Sequence, residues 1–395
     1  MKFPFIKYSK YNFCFDFFQK KHINPFYNKL FNHSNNEEIN NPNFKSEDAI
    51  GNEIHEIKFI PSYFRLETPL LSPKYKFITY ERVENFRINL DGFNNAEDYL
   101  ESQMRSKHRS QLRARTHRLE TCFNIKYVFY YGQITKQEYD FLFIQLELLI
   151  ERRFNQRGDL FSLTDKFDFI KENTYQLILE KEASLFVIYD ENKPIDISLS
   201  YHFQNILQHL IRSYDIDYSK FGIGHIDIFK QIDWCFLNNY EIFDFMWGEL
   251  DYKTRWCNEI SIFEHHFIFK NSNPLKLLFV KTMINLYKVN DNLKQKSIYK
   301  SLIRAKSNIL QYFKAKSVKK KPVIKLETIA KMPLIDTMTA ININTAFYKF
   351  LRKTVYNFQY LNFENTANIN VFKINNEIDS YIIQGAKSQI KVLIN

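Results

Sequence analysis

The sequence predicts an α+β fold: a mixed, mostly antiparallel sheet flanked by helices, with a helical C-terminal extension. Three observations lead there. Strand-like runs follow one another at 183–190, 194–203 and 205–217, the first two separated by the turn "ENK". A glycine-containing turn, "KFGIG" (220–224), then opens a stretch with helical apolar spacing at Ile226, Ile228, Phe229, Ile232, Cys235 and Phe236. Finally, "EIFDFMW" (241–247) returns to strand character and ends at Gly248.

Taken in order, the chain opens with an aromatic stretch followed by the Asn-rich "NHSNNEEINNPN", which predicts a loop. Short apolar runs between 54 and 90 predict strands. Residues 94–120 lack Gly and Pro and predict one helix with a strongly basic second half, and 125–131 predicts a strand. Thr135 and Glu138 have the spacing of a capping box ahead of a helix. After the central stretch, 261–270 predicts a strand and 273–317 a basic helical region. The run "KSVKKKP" predicts a linker. These divisions suggest a first lobe at 1–95, a main domain at 96–270, a basic helical extension at 271–317 and a small module at 323–395.

Composition bounds the function. There are 55 Lys and Arg against 44 Asp and Glu, a net charge of +11, which favours anionic partners such as phosphates, nucleic acid or acidic lipid. The 4 cysteines are widely spaced with no C-x-x-C, and the 10 histidines contain no H-E-x-x-H, so a metal site is not expected. No apolar run approaches the ~20 residues needed to cross a bilayer. A soluble, cytoplasmic protein is the expectation. Neither a G-x-x-x-x-G-K-[ST] nor a G-x-G-x-x-G is present.

The chain has 8 glycines and 3 tryptophans in 395 residues. Gly222, Gly224 and Gly248, with Trp234, Trp247 and Trp256, all lie between 219 and 256. In so glycine-poor a chain, a glycine marks a place where φ freedom or close backbone approach is needed. A helix mouth preceded by glycines offers unpaired N–H groups to an anion. Lys220, Gly222, Ile223, Gly224 and His225 are therefore candidate phosphate-binding residues. The basic run from Arg105 to Arg118 is a second candidate, either for nucleic-acid phosphates or for the rim of an anionic cleft.

The order of hairpin, "YDIDYSKFGIGHIDI" and "FDFMWGELDYKTRW" resembles the CelD/BcsL-type (cellulose-biosynthesis-associated, BioF2-like) branch of the GNAT acyltransferases, a fold related to the Fem-type aminoacyl transferases. Phe243, Asp244, Gly248, Tyr252 and Lys253 stand at the positions of that branch's strand-end signature. Gly222 and Gly224 match the GNAT pyrophosphate loop, but Ser219 stands where Gln or Arg is usual.

The resemblance implies transfer of an acyl group, acetyl or longer, from an acyl-CoA thioester to an amine or hydroxyl of a small molecule or saccharide precursor. It implies a GNAT-like fold whose first lobe is an incomplete half. On that reading Asp215, Asp217 and Glu249 are candidate bases and Asp244 is a candidate cleft acid. Tyr252 would protonate the leaving thiolate, and Lys253 would join the donor-binding residues. Two alternatives remain: an aminoacyl-tRNA donor, and a non-enzymatic binder of nucleic acid or membrane surfaces.

Overall fold

The computed structural model describes residues 6–45, 51–69, 73–158, 161–248, 251–271, 273–295, 324–329 and 333–394. In chain order the first strands are β1 (Tyr8–Asn12), β2 (Lys29–Asn32), β3 (Glu37–Asn40), β4 (Ile54–Ile60), β5 (Phe64–Glu67) and β6 (Tyr75–Asn89). The middle of the chain supplies β7 (Ile125–Tyr130), β8 (Ala183–Asp190), β9 (Lys193–Phe203), β10 (Ile206–Tyr214), β11 (Ile242–Asp244) and β12 (Glu259–Lys270). A 9-stranded sheet runs in the order β1-β4-β12-β6-β11-β10-β9-β8-β7. Its pairs are antiparallel except β1 with β4 and β10 with β11. Strands β1, β4 and β6 thus extend the same sheet that the centre of the chain begins, while β3-β2-β5 form a separate 3-stranded antiparallel sheet. The Asn-rich stretch predicted as a loop forms the β2–β3 hairpin, with Asn36 in the left-handed region (φ 59°) at its turn.

Helices cover both faces. On one lie α1 (Phe13–Lys20), α4 (Lys136–Arg157) and α5 (Phe167–Leu179), packing Phe17, Leu142 and Ile170 against strand residues such as Ile197, Leu199 and Ile206. On the other lie α2 (Ala96–Gln103), α3 (Ser106–Cys122) and α6 (Ile223–Leu237), packing Tyr99, Leu119 and Ile232 against Phe186, Leu207 and Phe243. Strand alternation sends the adjacent Ile206 and Leu207 to these two opposite cores. The Thr135–Glu138 capping box is formed, and Gly158 ends α4 with φ 71°.

The single helix predicted over 94–120 is two. Met104 and Arg105 are extended between α2 and α3. Met104 is buried in the second core, and Arg109 from the new helix donates to the carbonyls of Met104 (2.9 Å) and Glu101 (3.3 Å) at the end of the old one. Side-chain donors thus replace the helical bonds that a continuous helix would have made.

Beyond α7 (Asp251–Trp256) and α8 (Pro274–Gln295), a further sheet of five strands comprises β13 (Ile324–Thr328), β14 (Met338–Ala340), β15 (Asn370–Ile374), β16 (Ser380–Gln384) and β17 (Gln389–Ile394). It carries the helix α9 (Arg352–Asn362), whose Val355, Tyr356 and Phe358 join the core beneath α3 and α6. The predicted linker 316–322 and the end of the predicted basic helix, 296–317, lie outside the described residues.

Candidate functional site

The site begins where the sheet parts. β10 and β11 pair over three registers only, from Ile206 with Ile242 to Gln208 with Asp244. β10 then continues to Tyr214, and no strand among the described residues pairs with the edge that β11 leaves. At the same level β10 slips register against β9 between His209 and Ile211, a bulge that takes Leu210 out of the ladder. A cleft of about 740 Å³ occupies the gap. One lip is the start of α6, with Gly222, Ile223, Gly224 and His225, and the other is built by α1, the end of α4 and the segment 161–166. Because α6 and α1 pack on opposite faces of the sheet, the cleft passes through it.

The glycines do local work. Gly222 has φ 67° and ends the 3-10 turn 216–221, and a Cβ there would lie 2.9 Å from Cδ of Arg115. A Cβ on Gly224 would lie 2.7 Å from Nη1 of Arg212. Both glycines thus let an arginine side chain lie against the backbone at the helix mouth. Arg115 comes from the basic helix α3. Its neighbours at helical spacing, Leu112, Leu119 and Cys122, are buried, so Arg115 is a cation on the apolar face of its helix. That position was the readable signal for it. The rest of the basic run points elsewhere: Arg113 pairs with Glu97 (2.6 Å), Arg109 with Glu101 (3.5 Å), and Arg118 donates to the Tyr360 carbonyl (2.8 Å).

Under Gly224 lies a buried charge cluster. Arg212 pairs with Asp196 of β9 and with Asp227 of α6 (3.1 Å). Asp227 also accepts from Ser198 (2.8 Å) and Gln231 (3.0 Å). One guanidinium faces two carboxylates out of contact with water, so burial raises the pKa of both acids against the pull of Arg212, and Asp227 raises Asp196 further. Arg153 of α4 donates to the Arg212 carbonyl (3.2 Å) and lies over the Tyr214 ring. Arg115, Arg153 and Lys166 all line the cleft, and none has a carboxylate at ion-pair distance among the described residues.

The strand-end signature builds a turn. Asp244 is fully buried and accepts from the Tyr63 hydroxyl (2.7 Å) and the Met246 amide (2.6 Å). Met246 (φ 59°) and Gly248 (φ 100°) turn the chain. The Lys253 ammonium donates back to the carbonyls of Phe245 (2.8 Å) and Trp247 (2.6 Å), and burial pushes its pKa down to about 8. Phe245, Met246, Trp247, Tyr252 and Lys253 are thereby presented to the cleft. Burial raises the Tyr252 phenol, while Arg212 and Arg153 draw it back.

The candidate residues separate into groups. Gly222, Ile223, Gly224, His225, Tyr252 and Lys253 line the cleft together. Asp244 sits behind the turn and does not line it. Asp215 and Asp217 are likewise buried behind the helix mouth, held in a cluster with Arg152, Lys193 and Arg352. Lys193 and Arg152 outweigh burial and keep the Asp215 carboxyl below its usual range. These carboxylates anchor the turn and do not line the cleft. Lys220 is exposed and lies over the Tyr360 ring. Glu249 lies outside the described residues.

Sequence reading passed over His209, Arg212, Arg153, Lys166, Gln19 and Gln208, all on the cleft. His209 is held neutral near pKa 3 by burial, Arg212 and Lys253. His225 is lowered to about 4, chiefly by burial and then by Arg255 and Arg115. The Trp256 indole N–H donates to Nδ1 of His225 (2.9 Å), which leaves the ring proton on Nε2 as a donor. No group of metal-ligating side chains occurs among the described residues, and none of their helices is long and apolar enough to cross a membrane.

Residues 106–254 match the model of the acetyltransferase (GNAT) domain, and the mixed sheet with its parallel β10–β11 pair is a GNAT-like α+β fold. No curated protein matches the chain. Among solved structures the chain is similar to FemX, at 12% identity over 53% of this chain and 65% of that one, with a TM-score of 0.39. It is also similar to a conserved protein of unknown function from Bacteroides thetaiotaomicron VPI-5482, at 8% identity over 55% and 70%, TM-score 0.35. A third is L-PGS from Bacillus licheniformis, at 11% identity over 59% and 73%, TM-score 0.33.

Proposed function

We propose that the protein is an acyltransferase that moves an acyl group, acetyl in the first instance, from a CoA thioester to an amine or hydroxyl of a small molecule or saccharide precursor. The observation that carries this reading is the cleft at the parting of β10 and β11, with Gly222, Gly224 and the uncompensated Arg115 at one end. The residues present fit an acyl-CoA. Amides at the mouth of α6 and the Arg115 guanidinium suit its phosphates. The strand edge beyond Gln208 offers hydrogen bonds to an extended amide-containing chain, and the Leu210 bulge is the candidate N–H for the thioester carbonyl.

The chemistry then follows from the lining. The acceptor nitrogen forms a bond to the carbonyl carbon, the C–S bond breaks, the thiolate takes a proton from the Tyr252 hydroxyl, and the proton that the nitrogen loses returns to the phenolate. An alkyl ammonium near pKa 10.4 must first lose a proton, at about 4–5 kcal/mol near pH 7. Leaving water for the cleft disfavours the charged ammonium and lowers that pKa, so the proton can leave to solvent without a carboxylate base. Holding both reactants in one cleft contributes roughly 7–11 kcal/mol of orientation. His225 serves as a neutral donor beside the phosphates.

Acetyl-CoA and longer acyl-CoAs at millimolar concentration are expected to raise the melting temperature, and Gly224→Val to abolish the shift with the circular-dichroism spectrum unchanged. Tyr252→Phe is expected to keep the thermal shift and lower kcat by ~10²–10⁴-fold. Absence of a shift with every acyl-CoA would overturn the reading. The cationic lining equally suits an aminoacyl group carried on RNA, and a high 260/280 absorbance ratio of the purified protein would turn the assignment to that donor.

A further inference from the structure

With the donor placed at α6, the opposite lip of the cleft is left unassigned. That lip is made by Asn12 at the end of β1, Phe15 and Gln19 of α1, and by Phe154, Leu163 and Lys166. Two amides there are unusual. Gln19 is 5% exposed, and neither its Oε1 nor its Nε2 has a partner among the described residues. Gln208, 1% exposed, has an Nε2 without a hydrogen-bond partner, the Cys14 thiol being the polar group near it. A buried amide left without hydrogen bonds costs roughly 1–3 kcal/mol per group. Leucine in either place would avoid that penalty, so the folded chain carries two destabilising groups on one wall. Beside them, Lys166 lies 3.7 Å from the centroid of the Phe15 ring with no carboxylate at ion-pair distance among the described residues. Arg153, desolvated and also without such a partner, lines the same cleft.

We infer that this wall is the acceptor subsite, and that the acceptor is an amine carrying its own anionic group, a phosphate or a carboxylate. The inference rests on the acyltransferase reading and names its substrate class. The anion neutralises Lys166 and Arg153, which otherwise repel an ammonium-bearing molecule. Gln19 and Gln208 supply one acceptor oxygen and two N–H₂ groups to the molecule's neutral polar atoms. A simple diamine has nothing to offset the repulsion and is excluded. The amine then meets the thioester near Leu210: the N–C bond forms, the C–S bond breaks, one ammonium proton leaves to solvent beforehand and the next reaches the thiolate by way of Tyr252.

The test uses the full chain and separates donor from acceptor. Calorimetric titration measures acetyl-CoA first, then matched pairs of amines in its presence: glucosamine 6-phosphate against glucosamine, and lysine against cadaverine. The anionic member of at least one pair is expected to bind at least tenfold more tightly, and the pair that responds identifies phosphate or carboxylate. Lys166→Met is expected to erase that preference while leaving acetyl-CoA affinity within twofold. Gln19→Leu is expected to weaken the anionic amine at least tenfold while raising the melting temperature, a combination that a merely structural glutamine would not give. Equal binding of both members of each pair, or loss of donor affinity in Lys166→Met, would overturn the subsite. Failure of acetyl-CoA itself to bind would instead overturn the acyltransferase reading.

Discussion

Asp196 is fully buried. Burial and the neighbouring Asp227 raise its carboxyl to about 8, against an ordinary value near 3.9. A raised folded-state value means the folded protein holds a proton that the unfolded chain releases. That stabilisation is complete below pH ~4 and is lost as pH rises through about 8. The melting temperature is therefore expected to fall between pH 5 and 8.5, and Asp196→Asn to flatten the fall, since Arg212 then faces one carboxylate; thermal melts across that range decide it. None of this was legible beforehand. Asp196, Arg212 and Asp227 sit on three different elements, and only the fold makes one site of them. The pairing of the strand-end acids Asp215 and Asp217 away from the cleft was hidden for the same reason, because their partners Arg152 and Arg352 come from distant helices.

At the scale of elements, local pattern was informative. The β8–β9 hairpin, the capping box of α4 and the glycine-opened α6 are encoded by neighbours within a few residues, and all three were readable. The strand expected over 241–247 is cut to Ile242–Asp244 because the rest is the Lys253-braced turn. Apolar composition cannot distinguish those two states. The brace can be tested. Lys253→Met leaves the carbonyls of Phe245 and Trp247 without their donor, a loss of about 1–3 kcal/mol in urea unfolding. Because the turn carries Tyr252 and Trp247, kcat is expected to fall together with stability, and an unchanged kcat would separate the turn from the chemistry.

At the scale of the whole molecule, the C-terminal module is tied to the helix mouth. Arg352 of α9 bonds Asp217 (2.8 Å) and Asp215 (3.4 Å), which form the 3-10 turn leading into Gly222. Arg352→Ala is expected to cost about 3 kcal/mol, the low end for a broken buried pair because Arg152 and Lys193 remain. It is also expected to weaken acyl-CoA binding, measured by the same titration, although Arg352 does not line the cleft. The sequence suggested a separate small module at 323–395 but held no sign of this tether, which joins residues more than a hundred positions apart.

The narrow β11 strand has a practical consequence. Its outer neighbour is β6, contributed by residues 75–89. A fragment trimmed to the stretch similar to known acetyltransferases, 106–254, would keep β7 to β11 and lose β6. It would end in a raw three-residue border with open N–H and C=O groups, an invitation to stick to other copies of itself. Whoever expresses this protein should therefore keep the beginning of the chain, because without it the cleft-bearing half has no far shore.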